Sequence, residues 1–363
     1  MLIVVMCVQV QVARRYRQIR GLIMYKTTVH KMRSLLQNTT ALVGIRYWSV
    51  AAAIVMCPAL SVQTARAEFV WTGTTGGWNS PAFWSSGSIP DSAGAEVTFN
   101  GMSDGITYYV GLDGGPYTVG TLNINNSVLG GYAFQNGTLT LNSGTTDDAR
   151  IIVTRRNHTP IFQSTAVLNL ASDVTVDTVG ANAEMSVAGK IFGTHKLTKT
   201  GAGTVTLYGA SAGSMFSDID VTGGTLALLG AGDVGSTTLS VRNGTLQTDG
   251  AALASGATVN VGANGAFDVL IGNETIRELQ QTGGTVSGRT GTTVNISGHY
   301  NQTDGTTGRN ITLNAGTFTQ KRGVIAKDTT VNVAGKTILS GGEINGVLNL
   351  SGDASVSVSY THL

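Results

Sequence analysis

Short alternations of apolar and polar positions run through this chain from residue 138 onward. They include Thr138-Leu139-Thr140-Leu141, Ala166-Val167-Leu168-Asn169-Leu170, Thr204-Val205-Thr206-Leu207, Thr258-Val259-Asn260-Val261, Thr293-Val294-Asn295-Ile296 and Thr330-Val331-Asn332-Val333. Each spans about five residues bounded by Gly, Asn, Asp or Ser, the signature of a half-buried strand. Helical periodicity is nearly absent. One helix-like phrase, 273–281, also fits a turn and strand through Ile276 and Leu279.

Six copies of one phrase punctuate these strands: Asn136-Gly137-Thr138-Leu139, Gly223-Gly224-Thr225-Leu226, Asn243-Gly244-Thr245-Leu246, Gly283-Gly284-Thr285-Val286, Ala315-Gly316-Thr317-Phe318 and Gly341-Gly342-Glu343-Ile344. Gly tolerates the positive φ of a tight turn, and Thr plus an apolar residue suits a pleated surface. From Gly224 the copies fall 20, 40, 32 and 26 residues apart. A base unit near 20 predicts one coil of a right-handed, single-stranded parallel β-helix rather than a series of hairpins. About 200 residues then give on the order of ten coils, stacked about 4.8 Å apart in a rod of about 50 Å. Asn recurs after the apolar pairs (Asn142, Asn169, Asn260, Asn295, Asn314, Asn332 and Asn349). This recurrence predicts amide ladders at the turns of successive coils.

Composition divides the chain. Residues 1–67 hold nine of the 23 basic residues and no acidic one, which leaves 14 basic against 21 acidic in the rest. An acidic body lacks the basic stripe that nucleic acid requires, so no nucleic-acid partner is expected. The leader couples basic residues to an apolar run, 50–60, and a small-x-small site at Ala65-Arg66-Ala67. That pattern predicts an export signal cleaved to leave Glu68 first, with the start codon at Met1, Met24 or Met32. Both cysteines, Cys7 and Cys57, lie in this leader. An exported chain without disulfides fits either passage through a second narrow pore or a repeat stack that needs no staple.

Residues 68–135 carry Trp71, Trp78, Trp84, Tyr108, Tyr109, Tyr117 and Tyr132. They predict an aromatic-rich N-terminal cap on the exposed end of the stack, with sugar stacking on the tryptophans as the other reading. The expected organisation is thus a leader (1–67), a capping region (68–135) and β-helix repeats (136–363).

Candidate chemistry is sparse. Gly209-Ala210-Ser211-Ala212-Gly213 matches the nucleophile-elbow string, but more strand follows where the elbow needs a helix. His158, His195, His299 and His362 have no metal-ligand spacing, so no metal or cofactor is expected. The densest polar cluster is Asp147-Asp148-Ala149-Arg150 with Arg155 and Arg156. The two arginines would suit a uronate only if both faced one way, and strand neighbours point oppositely.

One segment carries a family likeness. Leu197, Lys199, Gly201, Gly203, Thr204, Leu207 and Gly209, then Phe216 and Gly223-Gly224-Thr225-Leu226, resemble the autotransporter-associated β-strand repeat, L-x-K-x-G-x-G-T-hydrophobic-x-L-x-G. Ser211 to Ser214 depart from it. A weaker likeness covers 272–286, and the Trp71, Trp78, Trp84, Pro90-Asp91 series is similar to the start of such passengers. The resemblance implies a pectin-lyase-like β-helix passenger of a Gram-negative bacterium, delivered to the outer membrane or beyond by a C-terminal β-barrel. No barrel-type strands appear before Leu363, so a fragment is expected, and the last six residues resemble translated adapter sequence. The implied function is an adhesion or aggregation scaffold for surface glycans, proteins or a second copy. The alternative is a polysaccharide lyase or hydrolase on the same scaffold.

Overall fold

In the computed structural model, each turn of the chain lays down strands on up to three faces, and each strand pairs in parallel with the one a turn later. The structure describes residues 68–100, 106–125, 131–154, 161–208, 216–230, 234–235, 238–250, 252–351 and 356–358, all within one unit, Ala65–Leu363. The result is an all-β parallel solenoid of about eleven turns, as the spacing predicts. The 273–281 phrase resolves into strand, in Asn273–Ile276 and the start of Glu278–Gly288. The leader, with Ala65 and Ala67, lies outside the described residues. Glu68 opens the first described strand, Glu68–Trp71.

Face A is the longest rank. It runs from Glu68–Trp71 through Glu96–Asn100, Thr121–Asn125, Ala149–Val153, Val174–Thr178, Leu197–Thr200 and Asp218–Val221, and on to Val356–Val358. Face B stacks Glu184–Val187, Thr204–Tyr208 and Thr225–Leu229, then the second halves of the longer strands, to Glu343–Ile344. Face C is clearest from Asn273–Ile276 through residues 293–296, 311–315, Thr330–Val333 and Val347–Leu350.

Register places like on like. Leu197, Ile219, Leu239, Val259, Leu279, Tyr300 and Phe318 form one buried column of face A. Leu226, Leu246, Phe267 and Val286 form another on face B. Each such side chain contributes about 1.5–3 kcal/mol by leaving water, and each coil needs only its neighbours to do so.

The aromatic segment does not sit outside this stack. Its strands are the first rungs of face A, and Trp71, Trp78 and Trp84 are 2%, 0% and 3% exposed. Trp78 meets Trp84 edge-on at 4.8 Å, and Phe99 packs against Trp71, Tyr132 and Phe134. Phe134 stacks on Phe162 at 5.2 Å and hands the column to the aliphatic coils. Trp78 Nε1 donates to the Pro90 carbonyl at 3.0 Å, and Trp84 Nε1 to that of Trp78 at 2.9 Å. Their N–H groups are therefore satisfied inside, as buried indoles require. These buried rings offer no face to a sugar, which removes the stacking reading.

Farther along the stack two acids are buried, Asp220 and Glu274. Glu274 faces inward at 0% exposure, and its carboxyl accepts from the Leu253 amide at 3.2 Å and the Ala252 amide at 3.4 Å. Burial raises its pKa, and these amide hydrogen bonds hold the rise back. A carboxyl whose folded pKa lies above its unfolded one keeps its proton longer in the native state. Stability therefore falls as pH rises from the ordinary value of 4.5 toward the folded value. Glu274→Gln is expected to flatten that slope in denaturant melts taken across the range. An unchanged slope would show that other groups set it.

Candidate functional site

The recurring Gly-Gly-Thr phrase makes the corner between faces A and B. On this corner Gly224, Gly244, Gly265, Gly284, Gly305, Gly323 and Gly342 follow one another 18 to 21 residues apart. The 40-residue gap read from sequence arises because the corner Asn264-Gly265-Ala266-Phe267 lacks the Thr-apolar ending. The 32- and 26-residue gaps arise because Asp304-Gly305-Thr306-Thr307 and Arg322-Gly323-Val324-Ile325 lack it too and the copy at Gly316 lies off this corner. The copy at Gly137 instead opens a face-C strand, and that at Gly316 a face-A rung.

A second device was hidden in the sequence. Lys199 is 1% exposed, and its Nζ donates to the carbonyls of Thr200, Gly201 and Gly223 at 2.6, 3.0 and 3.0 Å. Up the same column come Val221, Val241 and Val261, then Gln281, Gln302 and Gln320, each glutamine at most 1% exposed. Each glutamine donates to carbonyls of its own corner and of the next: Gln281 to Gly284 and Thr306, Gln302 to Gly305 and Val324, Gln320 to Gly323 and Glu343. Gln320 also donates to Gln302 Oε1 at 3.1 Å, while the hydroxyls of Tyr300 and Thr307 both donate to Gln281 Oε1 at 2.8 Å. A sharp corner turns backbone carbonyls into the core, where an unmatched one is costly. The long polar side chains answer that need. The signal was legible as apolar-x-Gln before the Gly turn, in Leu279-Gln280-Gln281, Tyr300-Asn301-Gln302 and Phe318-Thr319-Gln320. It matches Leu197-Thr198-Lys199 in offset.

The repeat residues are thus structural. Leu197, Leu207 and Leu226 fill the interior, and Gly201 (φ 73°), Gly203, Gly223 and Gly224 (φ 62°) make corners. Thr204 and Thr225 pair in register on the outward side of face B. Gly209 and the whole 209–213 string lie outside the described residues, as do Arg155, Arg156, His158 and His362.

What faces water is mostly polar and ranked, with a few exposed apolar side chains such as Phe192, Tyr208, Ile271 and Val347 among it. On face A, Thr121, Arg150 and Thr175 stand in register beside a groove of about 560 Å³ that Asp147 and Asp148 also line. Thr175 Oγ1 donates to Asp148 at 2.7 Å. Further on, Asp220 is held between Lys196 and Arg242, each at 3.3 Å, and ties three rungs together. His195 lies 3.4 Å from Asp173, and His299 Nδ1 lies 2.6 Å from Thr317 Oγ1. On face B a trough of about 390 Å³ runs over Thr245, Ala266, Thr285 and Thr306 and ends at Arg309. Asp268 there accepts from Ser287 at 2.9 Å. Arg309 and Asn310 both have positive φ, 62° and 60°. Among the described residues no group of three metal-ligating side chains comes together.

The expected asparagine ladder takes a different place. It forms on face C, on the strands rather than at the turns. Asn314 donates to Asn295, Asn332 to Asn314 and Asn349 to Asn332, each at 2.8 Å. The other three scatter. Asn142 caps its own loop through the Gly144 amide, Asn169 pairs in register with Thr140, and Asn260 sits on face A. An Asn directly after an inward apolar residue takes an outward strand position, except Asn142 just past its strand, and which face that strand joins depends on coil length. No protein-family model, curated protein or solved structure matches this chain.

Proposed function

We propose that this chain is an autotransporter-type passenger displayed at the surface of a Gram-negative bacterium or released from it, where it serves as an adhesion or aggregation scaffold. The observation that carries the reading is the division of labour in each coil. Interior columns are closed, and the outward sides are ranks of Thr, Ser, Asn and Gln repeated once per rung. Such a surface presents one weak contact many times, and many weak contacts in register make strong attachment. The Leu197 to Leu226 stretch supports the passenger assignment, since its pattern resembles the family repeat and its described strands form successive rungs. Coil-by-coil templating suits a chain that emerges unfolded and is drawn outward as it folds. Surface glycans, surface proteins or a second copy are the partners of this reading, and a β-barrel translocator is its anchor.

Fusing residues 68–358 to an outer-membrane display anchor on non-adherent cells tests it. Clumping or attachment to host cells, abolished by surface proteolysis, is the expected result. Displayed protein that changes neither behaviour would refute the scaffold.

A further inference from the structure

We infer that the outward strip of face C is a docking surface for an extended, uncharged polysaccharide lying along the solenoid axis. The inference rests on the adhesion reading above and names its ligand. The strip has two columns. One is Asn273, Thr293, Thr312, Thr330 and Val347; the other is Thr275, Asn295, Asn314, Asn332 and Asn349. Three consecutive rungs therefore present Thr-x-Asn in register.

Three features point to such a ligand. First, the ladder fixes the amides. Each inner Asn has one N–H and one oxygen lone pair bound to its neighbours, which leaves a second N–H and a second lone pair. Groups already ordered lose little entropy on binding, so a partner meets them preorganised. Second, the groups are periodic. Rungs repeat at about 4.8 Å along the axis, and the Thr and Asn columns lie about 6.6 Å apart along each strand. An extended chain of β-linked pyranoses advances by a similar step per sugar and offers hydroxyls that both donate and accept. Third, no position of either column is charged. This separates the strip from the face-A groove and face-B trough, both of which carry Asp and Arg. A polyuronate or a basic partner gains nothing here. A neutral polysaccharide offers hydroxyls that can pair with the free Asn and Thr groups, without the desolvation that charge imposes.

The test uses the full purified chain and its co-sedimentation with insoluble cellulose and chitin, with calcium alginate gel and growing ice as the other arms. Retention on a neutral polysaccharide is expected. Thr312→Val with Thr330→Val keeps shape and removes two outward hydroxyls. At about five-fold per lost hydrogen bond, it should lower retention by roughly ten-fold or more with an unchanged melting temperature. Asn332→Asp, which places a charge in the ladder, should do the same. Retention unaffected by the threonine pair, binding only to alginate, uptake into ice, or no sedimentation with either neutral polymer would each overturn the proposal. If displayed cells still clump while the purified chain ignores cellulose and chitin, the adhesion reading survives and this site does not.

Discussion

Lys199→Met is expected to remove about 3 kcal/mol of stability at pH 7. Three inward carbonyls lose their donor at once, and each buried unpaired carbonyl costs about 1–3 kcal/mol, offset in part because an ammonium no longer has to be buried. Lys199→Gln should recover about half of that loss, because glutamine already performs this task at Gln281, Gln302 and Gln320 in the same column. The pH dependence carries a sign of its own. Burial pushes the ammonium down to about 8 from 10.5, against the upward pull of Asp177. A lysine depressed in the folded state adds stability as pH rises from the folded to the unfolded value. The wild type should therefore gain stability over that window and the methionine variant should not. Urea midpoints at pH 7 and pH 10 for the three proteins decide the matter. Equal midpoints at pH 7 would mean that the corner carbonyls find other donors.

Gly284→Ala should disrupt the stack by a different route. Gly284 has φ 59°, and a Cβ there would stand 2.1 Å from the Gly265 carbonyl oxygen and 2.5 Å from that of Gly262. Both obstacles are backbone of the coil beneath, so neither can swing aside as a side chain would. A left-handed alanine alone costs about 1–3 kcal/mol. Displacing a rung that is bonded above and below brings the expected loss beyond about 3 kcal/mol. Hydrogen exchange should quicken in the coils around 262–306 while the aromatic end stays protected, since each coil leans only on its neighbours. Gly256→Ala is the matched control, with ordinary φ and open space, and should stay within about 0.5 kcal/mol of wild type. If Gly284→Ala melts with that control, the corner is more pliant than its packing implies.

The fold was legible because period-two alternation and Gly-Gly-Thr punctuation are local signals that stacking leaves intact. The interior glutamines were not read, because a Gln in a strand looks outward by composition. Only the corner geometry shows why Gln281, Gln302 and Gln320 point in. The asparagines misled for the opposite reason. All seven directly follow an apolar residue, but coil length puts Asn260 on face A, while Asn142 lies in a loop past its strand and Asn169 stacks on Thr140 rather than on another Asn. Coil length is a sum over loops, and no single residue announces it. The tryptophans show the same ambiguity: a ring at the end of a stack reads alike as lid or sugar platform, and the burial of Trp71, Trp78 and Trp84 in the first rungs fits the lid.

As a proposed adhesion scaffold, this molecule would act by presenting surface rather than by breaking bonds. A single incubation tests this most directly: the purified chain with a panel of soluble and insoluble glycans, followed for both retention and new chain ends. Retention on at least one glycan, with its length distribution unchanged after prolonged contact, is the predicted result. Release of shortened oligosaccharides that scales with protein concentration would contradict it and make the scaffold an enzyme.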